Sequence, residues 1–310
     1  MLDAVSKAFF SALARSGTLK RLASHYGMRE GAFARRFIAG ETTQEAIAAA
    51  RSIEARRMMI TLDYLGERVR TIDEANAATR AYLDVMDRVV EADIGRNLSV
   101  KLTQLGLDVD RATCVDNLRR ILEPGERHGF FVRIDMESSS YTDVTLDIFE
   151  TIWQQGCRGV GIVLQSCLRR SASDLERVNG LGARIRLVKG AYKEPASIAF
   201  QKKHEVDTAF VTLMKRLITG GTYPAIATHD PAMIEATRAF AGERGIPRQT
   251  FEFQMLYGVR RDLQAALTDA GYPFRVYVPF GREWFPYFMR RLGERPANVG
   301  FVIRSLVRER

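Results

Sequence analysis

The sequence predicts an α/β chain closed into a (β/α)8 TIM barrel, and three observations carry that prediction. Short apolar runs rich in β-branched residues alternate with longer amphipathic stretches, the pattern of parallel strands joined by helical crossovers. The runs number about eight, which is the count of a closed barrel. The doubly wound alternative lacks its usual signature. Gly159-Val160-Gly161 and Gly180-Leu181-Gly182 both miss the third glycine of a dinucleotide-binding turn, and there is no G-x-x-x-x-G-K-[ST].

Residues 1–55 read as a helical region that covers one end of the core. AIAAARSIEARRMMI has no Gly or Pro, and Thr42-Thr43-Gln44-Glu45 has the spacing of a capping box. Residues 56–310 read as the barrel. Its strands are expected within MMITLDYL (58–65), LSVKLTQL (98–105), FFVRIDM (130–136), GVGIVLQ (159–165), RIRLVKG (184–190), PAIATH (224–229), FEFQML (251–256) and FRVYVPF (274–280). DEANAATRAYLDVMDRVVEA and HEVDTAFVTLMKRLI are typical of the helical segments between them, and PGERHG reads as a turn around His128. After the eighth run, REWFPYFMRRLGERP reads as a last helix. Spacings of three and four place Tyr287, Arg290 or Arg291, and Glu294 along one side of it, beside Trp284, Phe285 and Phe288.

Composition narrows the function. Hydrophobic residues at 46% and charged residues at 27% are those of a globular chain. No apolar run reaches the roughly 18 residues of a membrane span, and no signal peptide is expected. Cys114, Cys157 and Cys167 form no C-x-x-C, so a reducing compartment is expected and a cysteine-based metal site is not. A net charge of +9 suits acidic partners: nucleic acid, an anionic membrane surface or a small anionic substrate. Of the four histidines only His229 follows a strand, and there is no H-E-x-x-H, so no metal centre is expected. G-x-S-x-G is also missing.

Barrel enzymes place their chemistry where strands end. Reading the last residues of each run gives Asp63 and Glu67, Lys101, Asp135 and Glu137, Gln165, Arg186 and Lys189, Thr228 and His229, Glu252 and Gln254, and Tyr277. A charge pointing into a packed barrel costs several kcal/mol unless it is paired. These groups could be structural ion pairs that plug the barrel, but so dense a set favours a site. Cations and amides at the mouth suit an anion, a phosphate or a flavin ring. From pattern alone, a strand lysine (Lys101 or Lys189) could instead form the Schiff base of a class I aldolase-like barrel. The charge alone would also allow a basic nucleic-acid- or membrane-binding protein, although the arginines are dispersed and no recognition motif is present.

LDYLGE, SVKLTQLG, RIDMES, GIVLQS, IRLVKGAYKEP, ATHDP, FEFQML and YVPFG followed by PYFMRRLGE resemble proline dehydrogenase, the short monofunctional bacterial enzymes in particular. The likeness runs in order over about residues 58–300, and IRLVKGAY with Y-x-x-RRL-x-E is its specific part. It implies a distorted barrel with N-terminal helices and a final helix over the barrel mouth. It also implies FAD as cofactor, oxidation of L-proline to Δ1-pyrroline-5-carboxylate, and a quinone as electron acceptor. By resemblance, Lys101, Arg290 and Arg291 bind the substrate carboxylate, and Leu187, Tyr192, Tyr277 and Tyr287 wall the proline ring. Asp135 and Arg186 are the catalytic pair, with Arg186 beside flavin N5, and Glu67 with Arg290 forms a gate. Met136, Gln165, Arg186, Lys189, Gly190, Ala191, Thr228, His229 and Glu294 hold the cofactor. Asp230 stands where some relatives carry Asn. A cytoplasmic protein is expected, peripheral contact with the inner face of the membrane and homo-oligomerisation are allowed, and nucleic acid is not expected.

Overall fold

In the computed structural model of the chain, residues 33–294 are described, with side chains over 34–289. Eight parallel strands close a barrel in sequence order: β1 (Met59–Tyr64), β2 (Asn97–Val100), β3 (Phe131–Ile134), β4 (Val160–Gln165), β5 (Arg184–Val188), β6 (Ala225–Ala227), β7 (Glu252–Leu256) and β8 (Phe274–Phe280). β8 closes on β1 in a register running from Met59 with Arg275 to Tyr64 with Phe280. The helices are α1 (Thr43–Glu54), α2 (Ile72–Ala92), α3 (Arg111–Arg127), α4 (Thr142–Gln154), α5 (Ser171–Gly180), α6 (Lys203–Gly220), α7 (Pro231–Glu243), α8 (Arg261–Asp269) and α9 (Trp284–Glu294).

Local chemistry sets most of the boundaries. The capping box at Thr42 forms: the Glu45 N–H donates to Thr42 Oγ1 at 3.3 Å, and the Thr42 N–H donates to Glu45 Oε2 at 3.0 Å. Asp110 is a simple N-cap of α3, accepting the Thr113 N–H at 2.7 Å, and Asp230 caps α7 ahead of Pro231. The Ala/Arg-rich run does not stay helical to its end. α1 stops at Glu54, Arg57 turns the chain at φ +62°, and the ladder with β8 claims Met59 onward. PGERHG differs from expectation in the other direction. It is the last turn of α3 with His128 as the C-cap, because Gly125 is buried against the core and packing overrides the Pro-Gly signal.

Strand alternation divides the side chains into two layers. The outward set, including Ile60, Leu98, Val132, Ile162, Ile185 and Ile226, is fully or almost fully buried against the helices and forms the apolar core. The inward set is polar, whereas most such barrels fill this space with branched aliphatics. Arg133, Arg275 and Glu252 occupy the floor, and Asp63, Ser99, Asp135, Arg186, Gln254 and Tyr277 lie above them. Gly161 makes room on the floor, where a Cβ would lie 2.8 Å from Arg133 Nη1. α1 packs on β1 and β8 from outside and shares the barrel's core through Ala46, Ala50 and Ile53. α9 sits at the strand ends. Its Trp284, Phe285, Tyr287, Phe288 and Met289 cluster with Phe37, Ile38 and Leu65, and Trp284 Nε1 donates to Glu41 Oε1 at 2.8 Å. The final helix therefore packs at the end of the barrel where the strands finish, beside the ends of β1 and β7.

Candidate active site

Asp135, just past the end of β3, organises the mouth. Arg186 Nη1 donates to Asp135 Oδ1 at 2.8 Å, and the Tyr277 hydroxyl donates to Asp135 Oδ2 at 2.7 Å. Lys101 Nζ lies 3.5 Å from the same Oδ2 and 3.0 Å from Asp63 Oδ1. Ser99 Oγ is 3.3 Å from both terminal nitrogens of Arg186, and Gln254 Oε1 accepts from Arg186 Nε at 2.6 Å. The Arg186 guanidinium also lies over the Tyr277 ring at 5.3 Å. Lys101 is not inside a strand. It follows the last residue of β2, and this turns its chain across the mouth.

Burial governs the charge states. It pushes the Asp63 carboxyl up, and Lys101 only partly opposes the shift. Burial would depress the Lys101 ammonium, but Asp63, Tyr277 and Asp135 around it hold it well above the ordinary lysine range. The Tyr277 phenol is driven well up by burial and by the two aspartates, so it stays a donor. Asp63 Oδ2 is buried with no hydrogen-bond partner.

The second half of the ring lies at the ends of β4, β5 and β6. Gln165 Nε2 donates to the Glu137 carbonyl at 2.8 Å, which turns the Gln165 carbonyl oxygen toward Gly190. Gly190, at φ +107°, is packed so closely on Cys167 Sγ that a side chain there would collide with it. Lys189 is half-buried and paired with Asp207 of α6 and with Asp230 Oδ2 at 2.6 Å; Lys203 joins the same two carboxylates. Burial raises the Asp230 carboxyl, but the Lys189 hydrogen bond and the helix cap outweigh it and bring it to about 2. His229 Nε2 accepts the Leu256 N–H at 2.9 Å, so in the neutral ring the other nitrogen carries the proton. The Asp230 N–H donates to Thr228 Oγ1 at 3.1 Å.

Most of the expected residues converge on this mouth, with two corrections. Leu187 alternates away from Arg186. Its register partners Leu164 and Ile226 lie with it on the outer face, where it is fully buried in the apolar core and cannot wall a substrate. Glu252 is the first residue of β7 and not one of its last, so it belongs to the barrel floor. Met136 is buried behind Asp135, Ala191 is exposed and Tyr192 half-buried beyond β5, and Tyr287 is buried in the α9 cluster. Glu67 is half-buried beyond β1, close enough to Lys101 to help raise it. The side chains of Arg290, Arg291 and Glu294 lie outside the described residues. Ser99, Asp207 and the floor arginines Arg133 and Arg275 were not singled out from the sequence. The period-two pattern of their strands could have exposed the inward arginines, but nothing local marks Asp207. Clefts of about 290 and 560 Å3 lie on the outer flank near Gly258 and Arg261, away from these groups.

A closed barrel with its charged groups gathered at the strand C-termini defines a (β/α)8-barrel enzyme. The chain belongs to the proline dehydrogenase family, whose model, described as "Proline dehydrogenase", matches residues 46–304. Proline dehydrogenase 1 of Bacillus subtilis is 40% identical over 300 residues, covering 97% of this chain and 98% of that protein. The proline dehydrogenase of Deinococcus radiodurans is 38% identical over 279 residues, covering 89% and 90%. Proline utilization A (PutA) from Bdellovibrio bacteriovorus, in a structure inactivated by N-propargylglycine, superimposes with a TM-score of 0.78 at 28% identity. That alignment covers 84% of this chain and 32% of the longer protein.

Proposed function

We propose that this protein oxidises L-proline to Δ1-pyrroline-5-carboxylate with FAD as the hydride acceptor, and that a quinone then takes the electrons. The observation that carries this reading is Arg186, a buried guanidinium fixed at the mouth between Asp135 and Gln254. The residues present fit a flavin. Arg186 supplies a fixed positive charge where negative charge would grow on N5. Gln165, oriented by the Glu137 carbonyl, would face the flavin ring, and Lys189 with the exposed Gly190–Ala191 backbone would offer donors for a pyrophosphate. When bound, FAD supplies the two-electron acceptor.

The protein's own part is orientation and exclusion of water. Lys101 presents a cation beside the place where a carboxylate would be bound, and Tyr277, whose hydroxyl proton goes to Asp135 Oδ2, presents its ring. Arg290 and Arg291 on α9 complete the carboxylate clamp in this reading, and Glu67 meets Arg290 to close the mouth. Tyr192, Tyr277 and Tyr287 then enclose the ring. The aldolase-like alternative is disfavoured by Lys101 itself, because a lysine held protonated by two aspartates is a poor Schiff-base nucleophile.

Anaerobic addition of L-proline tests the reading. The purified protein is expected to be yellow, and its flavin absorbance is expected to bleach with proline. A colourless preparation that takes up no added FAD, or a flavin that proline leaves oxidised, would overturn it.

A further inference from the structure

We propose that Glu252, on the barrel floor, is a positioning residue for Arg186 and acts through the Gln254 amide. The proposal rests on the role given above to Arg186.

The argument begins with hydrogen-bond polarity. Gln254 is 3% exposed and lies between two partners of opposite demand. Below it, Glu252 is a carboxylate that can only accept, and Gln254 Nε2 donates to Glu252 Oε1. Above it, Arg186 can only donate, and its Nε–H meets Gln254 Oε1 at 2.6 Å. A flipped amide would set donor against donor at Arg186 and acceptor against acceptor at Glu252. The carboxylate therefore dictates which end of Gln254 faces the mouth. Gln254 and Asp135 then hold two edges of the Arg186 guanidinium, with Ser99 Oγ between its terminal nitrogens.

Glu252 is itself anchored. Arg275 Nε and Nη2 grip its two oxygens at 2.8 and 2.9 Å, and Arg275 Nη1 donates to the Ile60 carbonyl at 2.8 Å. Burial alone would raise the Glu252 carboxyl, but Arg275 outweighs it, and the group stays ionised as an acceptor. The chain Arg275–Glu252–Gln254–Arg186–Asp135 thus spans the barrel from floor to mouth. A plug that merely filled space would not need matched polarity at each step.

Glu252→Gln, Gln254→Met and the double variant test this in the full-length holoenzyme. Two readouts apply: solvent exchange of the Arg186 Nε–H by NMR, assigned by its loss in Arg186→Lys, and steady-state proline kinetics. Each single variant is expected to speed exchange at least about tenfold. Each is expected to lower kcat by about tenfold while KM for proline stays within about twofold, a loss of alignment without loss of binding. The double variant is expected to lose no more than Gln254→Met, because the hydrogen-bonded path from Glu252 to Arg186 runs through Gln254. Losses that multiply, or exchange unchanged in Glu252→Gln, overturn the proposal. If Glu252→Gln does not fold, Gln254→Met keeps the Glu252–Arg275 pair and carries the same two measurements. A wild type that does not turn over proline defeats the functional reading, whereas the exchange measurement still judges the relay. Faster exchange with unaltered turnover removes Arg186 from the reaction and overturns the positioning role with it.

Discussion

Lys101 has two jobs that pull against each other. As a candidate cation for a substrate carboxylate it should offer charge, yet 3.0 Å away it neutralises Asp63, which is wholly buried. Lys101→Met is therefore expected to cost stability as well as substrate affinity. Breaking a buried pair from one side costs about 3–5 kcal/mol, because the partner is left charged. The pH dependence has a definite sign. Burial raises the folded-state carboxyl of Asp63, and loss of Lys101 raises it further. Such a group is harmless where it is protonated in both states. The deficit should then vanish below the ordinary aspartate range and be complete above the folded-state value. Chemical denaturation of Lys101→Met and of Lys101→Met/Asp63→Asn at acid and neutral pH checks this. The double variant should recover most of the loss, and a single variant equally unstable at both pH values would contradict it. Glu252 teaches a related lesson. Its type and parity in FEFQML were legible, but whether it sat at the floor or the rim depended on where β7 begins. Run boundaries in sequence are uncertain by more than that distance.

At the scale of elements, the ends of β5 and β6 and the start of α6 hold Lys189 between two carboxylates. An anionic pyrophosphate bound there would have Asp230 as a neighbour. Asp230→Asn keeps an oxygen for the α7 cap and removes the charge. It is expected to tighten FAD binding by about threefold to tenfold, the scale of a partly exposed charge contact. Titrating cofactor-free protein into FAD and following flavin fluorescence measures it. Weaker binding would mean that Asp230 serves by aiming Lys189. Gly190→Ala is expected to lose about 1–3 kcal/mol of stability and to loosen the flavin, since φ +107° and Cys167 both exclude a side chain. Thermal melts with and without FAD separate the two effects. Lys189 is legible in sequence as a lysine at the end of an apolar run, but its partner Asp207 is not. That residue is an ordinary polar helix position until α6 folds back onto the rim. The misplaced Leu187 had the opposite cause. IRLVKG alternates plainly and sets Leu187 opposite Arg186, so the local pattern was the better guide to its side chain.

On the scale of the whole molecule, the eight runs and their order were legible because parallel strands buried on their outer faces read as apolar islands. The polar interior was visible only as scattered charges, since its pairs join residues as far apart as Tyr277 and Asp135. Among the described residues no helix is long and apolar enough to cross a membrane. Together with the net charge of +9, the proposed electron transfer to a quinone predicts salt-sensitive contact with an anionic surface. Co-sedimentation with phosphatidylglycerol vesicles is expected at about 0.05 M salt and should be lost near ~0.5 M, where screening shortens the reach of charge to a few ångströms. Binding indifferent to salt would point to an apolar contact instead.

The closure of β8 on β1 has a consequence for how the protein comes into being. During synthesis, β1 through β7 leave the ribosome as an open sheet with two bare edges, and neither can be satisfied until Phe280 has emerged. Helix α1, which rests on both closing strands, has half of its seat missing for the same interval. The rim that would receive the cofactor is also incomplete, because Tyr277 arrives on the last strand and α9 after it. Ligand capture therefore has to wait until β8 and α9 have both emerged. A nascent chain stalled before residue 274 should expose pairing-competent backbone and depend on chaperones, while one extended past α9 should become protease-resistant in a single step.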